Sequence, residues 1–206
     1  MSIERYFSTG LLDLTGENDK PNTVSGVVTR FGQLSSDRGG YRDKFAASAF
    51  SNLSQKQYSV KGLFNHDENS YLGRTDNGTL KLFMSDDALR FELELPDTTL
   101  GRDVAALIAR KDTQGMSFGY IPDKFTWSGT KTDPIRCHDA GELVEVSIVY
   151  DPSFKNTVAD LHSLQEPDIE VMKQLEQLKE DKYFDAPTPI LNCAVRKLEI
   201  LRLKLK

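Results

Sequence analysis

Two cysteines, one tryptophan and three histidines are all that the 206 residues contain, and each scarcity removes a class of function. Cys137 and Cys193 stand far apart, in no CxxC unit and with no metal-ligand spacing, which suits a reducing compartment and leaves both as packing residues. Neither a metal nor a cofactor is therefore expected. No apolar run approaches the roughly 20 residues that span a bilayer, and the start, MSIERYFSTG, lacks the apolar core of a signal peptide. A cytosolic, soluble protein with no membrane partner is expected. Positive charge is not in excess either: 26 Lys and Arg against 31 Asp and Glu give a net charge of -5, which argues against nucleic acid as a partner.

The apolar residues present suffice for one core, and their spacing reads as a mainly β domain with some helix. SGVVTRFG and YSVKGLF are β-branched or apolar runs that end in turns. TLKLFM and ALRFELEL flank an acidic turn at SDDA, and in the second Leu89, Phe91, Leu93 and Leu95 alternate with charged residues, the signature of a half-buried antiparallel strand. LPDTTLGRDVAALIARKD predicts a helix capped by Asp97 or a following threonine, with Val104, Leu107 and Ile108 on one face. GELVEVSIVYDPSF predicts a strand in which Val144, Val146 and Ile148 share one face and Leu143, Glu145, Ser147 and Val149 the other, ended by Pro152. Beyond Glu166 the composition changes. Ile169, Met172, Leu175 and Leu178 recur at helical spacing in a Glu-, Gln- and Lys-rich segment, Pro187 and Pro189 interrupt it, and a basic end follows. The chain thus divides into residues 1–165 and a helical tail, 166–206.

Three residues stand out as candidates for chemistry. His66, in FNHDEN, ends an apolar run, where a strand could hold a general base in one direction; it could equally just open an Asn- and Asp-rich turn. Ser117, in GMSFG, lies between two glycines that permit close backbone approach, which presents a hydroxyl or simply makes a turn. Its position after a helix and before a strand is the reverse of a nucleophile elbow. A serine nucleophile needs a base, and the base an orienting acid. Glu145, a carboxylate inside an apolar strand, is the candidate third member, with His138 and Glu142 as rivals and a plain surface glutamate as the other reading. His138 and His162 otherwise read as solvated loop histidines.

Taken together, GLFNHDENSYLGR, LELPDTTLGRDVAALIARKDTQGMSFGYI and ELVEVSIVYDPSF, preceded by DRGGYRDKFAASAF, resemble the tailed-bacteriophage prohead protease family from about residue 24 to residue 161. The resemblance implies a fold similar to the herpesvirus assembly proteases: a small closed β-barrel wrapped by helices, here with a C-terminal helical tail. It implies a serine endopeptidase with His66, Ser117 and Glu145 in chain order as the triad; the herpesvirus enzymes use a second histidine as third member, which keeps His138 in view. It further implies work in the host cytoplasm inside the prohead, on the scaffold or on the scaffolding arm of the major capsid protein, with self-cleavage and a homodimer by analogy. The tail is shorter than a scaffold domain, so a separate scaffold or a capsid-protein arm is expected, with residues after about 166 directing the enzyme to it. Two other readings share the sequence: an inactive capsid-assembly factor with the same barrel, and an esterase or amidase using the same serine.

Overall fold

A computed structural model describes residues 3–8, 12–16, 22–54, 59–150 and 169–180. Pro152, His162, Pro187, Pro189, Cys193 and the basic end lie outside them. Ten strands form two sheets: β1 (Glu4–Ser8), β2 (Asp13–Thr15), β3 (Thr23–Arg30), β4 (Arg42–Phe45), β5 (Lys61–Phe64), β6 (Asp67–Arg74), β7 (Leu80–Met84), β8 (Ala88–Glu94), β9 (Gly115–Thr130) and β10 (Asp133–Val149). The larger sheet runs β1-β9-β10-β5-β6, with β4 also paired to β10, and the smaller runs β2-β3-β8-β7. Its centre is the β9–β10 hairpin, which ladders antiparallel from Gly115 against Val149 out to Thr130 against Asp133. The other edge of β10 is shared in parallel, by β4 along Ile135–His138 and by β5 along Glu145–Ile148.

Local chemistry accounts for the elements that were expected. Leu89, Phe91 and Leu93 are buried on β8 while Arg90, Glu92 and Glu94 face water. The preceding acidic turn closes with the Ser85 amide donating to the Ala88 carbonyl at 2.9 Å. Helix α1 (Thr99–Ala109) begins where the Thr98 hydroxyl accepts from the Gly101 amide, a cap worth about 1 kcal/mol, and it buries Val104 and Ile108. The main core joins Val24, Leu80, Leu89, Phe91 and Leu93 of the smaller sheet to Phe45, Phe118, Tyr120, Val146 and Ile148 of the larger.

Three expectations need correction. No closed barrel forms among the described residues: the fold is mainly β with a few helices, built as two sheets. The chain turns the corner between β6 and β7 through residues 75–79, where the Gly78 amide donates to the Thr75 carbonyl at 3.2 Å and the Arg74 amide to Thr79 Oγ1 at 3.0 Å, and the two strands enter different sheets. The facing of β10 also differs. The register slips between Leu143 and Glu145, so Leu143 joins Val146 and Ile148 in the core and Val144 is the residue left without a partner on β9. His138, read as a solvated loop residue, is fully buried on β10.

His138 belongs to a buried polar cluster that ties three strands together. Arg136 donates from Nε to Asp43 Oδ1 at 2.7 Å and from Nη2 to Glu4 Oε2 at 2.5 Å and to the Tyr6 hydroxyl at 3.0 Å, while His138 Nε2 lies 2.8 Å from Asp43 Oδ1. Burial alone would raise the Asp43 carboxyl, but the hydrogen bond from His138 and the guanidinium of Arg136 bring it down to about 2. Burial pushes the His138 imidazole below its ordinary value, against the pull of Asp43. A neutral His138 donates through Nε2.

Helix α2 (Ile169–Glu180) packs as well, with Val171 and Leu175 buried against Tyr41, Phe125 and Trp127. Among the described residues no helix is long and apolar enough to cross a membrane.

Removing Asp43 takes from the buried Arg136 guanidinium one of its two carboxylate partners and from His138 its acceptor. Asp43→Ala should therefore cost about 3–5 kcal/mol, read from the urea midpoint at neutral pH. Because the folded value of Asp43 lies below the ordinary 3.9 or so, its contribution is complete above that value and fades as the pH falls through about 2. Urea stability should drop by about 2–3 kcal/mol over that window on its account; a flat profile would contradict an ionised Asp43.

Candidate active site

The candidate site lies on the face of the larger sheet opposite the core. Alternation along β9 sends Met116, Phe118 and Tyr120 into the core and turns Ser117 and Gly119 outward. Directly opposed residues share a face, so Ser117 stands in a row with Ser147 on β10 and Phe7 on β1. The next row pairs Gly119 with Glu145. The slip after Leu143 is what returns Glu145 and Ser147 to the outer face although Leu143 points inward.

His66 reaches this face from the β5–β6 connection, a two-residue turn in which Asn65 and His66 have φ of 52° and 59°. Positive φ at both positions is the twist-matched hairpin geometry, comfortable for asparagine and costly for histidine by about 1–3 kcal/mol. Contacts with β10 hold it. The Asn65 amide donates to the Ile148 carbonyl at 2.9 Å, the His66 amide to Ser147 Oγ at 3.2 Å, and the Tyr150 amide to Asn65 Oδ1 at 3.3 Å.

His66 Nδ1 then lies 2.6 Å from Glu145 Oε1, and the Ser147 hydroxyl donates to Glu145 Oε2 at 2.5 Å. The His66 and Glu145 side chains are only 10% and 8% exposed, so this pair works in a poorly solvated setting. A carboxylate on Nδ1 holds the proton there and leaves Nε2 as the basic nitrogen. That atom is buried and has no hydrogen-bond partner. Gly119 makes the arrangement possible: a Cβ at this position would sit 2.8 Å from Glu145 Oε1 and 3.0 Å from its Cγ.

The structure thus joins two of the three residues named from the sequence and puts the third, Ser117, on the adjoining strand. No hydrogen bond links Ser117 to His66; Ser117 Oγ donates instead to the Tyr6 carbonyl at 2.9 Å. Of the rivals to Glu145, His138 is engaged with Asp43 in the buried cluster and Glu142 is exposed. Ser147 was not singled out, although its place two residues after Glu145 on one strand face was the available signal.

Comparison with known proteins adds three findings. Residues 12–174 match the family described as caudovirus prohead serine protease. Among solved structures, the bacteriophage T4 capsid assembly protease, gp21, is similar with a TM-score of 0.51 at 12% identity, covering 73% of this chain and 99% of that one, which shows a shared fold. Comparison with curated proteins gives no match.

Gly119→Ala should push the Glu145 carboxylate off His66 while leaving the core face of β9 untouched. In nitrogen-15 NMR the His66 imidazole should lose its single tautomer and become a mixture, with a melting temperature within a few degrees of wild type; an unchanged tautomer would show that the glycine is not needed for the pair.

Proposed function

The chain belongs to the caudovirus prohead serine protease family, and from that premise we propose that Ser117, His66 and Glu145 form the catalytic triad of a capsid maturation endopeptidase. The observation that carries the reading is the 2.6 Å contact of His66 Nδ1 with Glu145, which leaves a buried, unpartnered Nε2 on the sheet face that also bears Ser117. In the reaction the Ser117 hydroxyl turns from the Tyr6 carbonyl to His66 Nε2. Its oxygen attacks the scissile carbonyl carbon as the proton passes to Nε2, and Glu145 stabilises the resulting imidazolium. The imidazolium returns the proton to the leaving amine, and the acyl-enzyme is released by a water that His66 deprotonates. Ser147 acts as a positioning residue, accepting from the His66 amide and donating to Glu145 so that turn and acid move as one unit.

The substrates we infer are the scaffold, or the scaffolding arm of the major capsid protein, and the protease itself. An extended peptide laid along a sheet is the form such arms offer a shallow site. An inactive assembly factor is the weaker reading, since it gives no reason to keep histidine in a strained turn against a buried glutamate. Targeting by residues after about 166 belongs to the same proposal. Val171 and Leu175 pack on Tyr41 and Trp127, so cutting the chain at Glu166 would also uncover apolar surface.

Co-expression with capsid precursor, followed by mass spectrometry, tests the reading. Ser117→Ala and His66→Ala should each abolish cleavage, and the double variant should be no worse than either, because the two act as one proton-transfer unit. Glu145→Gln should cost at least about 100-fold in turnover yet leave measurable activity. Normal cleavage by Ser117→Ala, or losses that add in the double variant, would refute the triad.

A further inference from the structure

A protease nucleophile has to meet its substrate on the outer face of β9, yet Ser117 is fully buried. Its cover is β1. Five successive pairs, from Glu4 opposite Tyr120 to Ser8 opposite Met116, run along this stretch of β9, with Phe7 directly across from Ser117. The Tyr6 carbonyl accepts a hydrogen bond from the Ser117 hydroxyl. The Phe7 ring stands edge-on to the His66 imidazole, centroids 6.0 Å apart, although Phe7 itself is 45% exposed and serves no core.

We propose that the end of β1 at Phe7 and Ser8 is an intramolecular substrate mimic: it occupies the edge of β9 on which the main chain of an extended peptide docks antiparallel, and substrate binds by displacing it while Glu4 and Tyr6 stay anchored on Arg136. The inference rests on reading Ser117 as the nucleophile. An exposed strand edge is a ready site for an added strand, and here the added strand comes from the same chain. A covering strand that brings a carbonyl oxygen to 2.9 Å from the serine oxygen puts a peptide group where a scissile one would sit. The hydroxyl proton points at that oxygen and not at His66 Nε2, so the serine cannot be deprotonated and β1 is not cut. The two sides of β1 divide the work. Tyr6 and Glu4 are held from within by Arg136, whereas Phe7 lies over the catalytic face without an anchor of its own. A tethered strand presents itself at an effective concentration of the order of millimolar. Dilute peptide therefore loses the competition, and substrate arms crowded into a closed shell can win it.

The test uses a fluorophosphonate, which bonds to a reactive serine oxygen with loss of fluoride and needs no peptide docking. Phe7→Ala, a change at an exposed position, should react at least tenfold faster than wild type, with the label on Ser117 by mass spectrometry and an unchanged melting temperature. In the wild-type adduct, where Ser117 Oγ has no proton to donate, the amides of residues 7 and 8 should exchange with deuterium at least tenfold faster than in the free protein. Equal or slower labelling of folded Phe7→Ala, no labelling of either protein, or unchanged exchange of residues 7 and 8 in the adduct overturns the proposal. Labelling at equal rates on Ser117 would defeat the mimic and leave the nucleophile standing; labelling elsewhere would defeat the nucleophile.

Discussion

A guanidinium removed from water must find its charge and hydrogen-bond partners inside the protein, and the layout of the larger sheet follows from how Arg136 does so. Arg136 is fully buried and draws in Asp43 from β4, and Glu4 and the Tyr6 hydroxyl from β1. Those strands come from opposite edges of the β9–β10 hairpin. One side chain thereby holds β4 and β1 in place, and hence sets which residue of β1 stands across from Ser117. Such a cluster adds little to net stability compared with an apolar core, because desolvation offsets most of the attraction. Its contribution is to positional uniqueness: a β1 shifted by one residue would turn Tyr6 outward and strand the guanidinium.

The candidate site at the other end of β10 depends on irregular backbone. The slip after Leu143 reverses the facing of the strand, and the Asn65-His66 turn holds a histidine in a conformation that it would avoid in isolation. Each irregularity is secured by the other's strand, since Ser147 and Ile148 fix the turn while His66 engages the acid. Strain held in this way keeps the imidazole in one orientation, the preorganisation that the proposed proton transfer would need.

Much of this could be read in the chain. Period-two alternation gave β8 away, helical spacing and a threonine cap revealed α1, and of the three residues singled out for chemistry His66 and Glu145 lie in contact, with Ser117 on the adjoining strand. What escaped were features set by distant partners. His138 looked like a solvated loop histidine, yet it lies within β10 and is buried, where Asp43, remote in sequence, accepts its hydrogen bond. The facing of Leu143 was misread because alternation assumes an unbroken strand. The expected barrel resolves into two sheets, consecutive β6 and β7 falling in different ones across the turn at 75–79, which no hydrophobic pattern records.

Along β10 the ionic anchor, at Arg136 and His138, and the acid, at Glu145, are separated by register slips at His138–Gly141 and at Leu143–Glu145. In an unbroken strand a single inserted or deleted residue would invert every side chain beyond it. Here the intervening segment already tolerates uneven counting, so a change of length can be taken up there while both ends keep their facing. The half that holds the sheet together and the half that carries the candidate site are thus free to diversify at different rates, as if they were separate modules sharing one coupling.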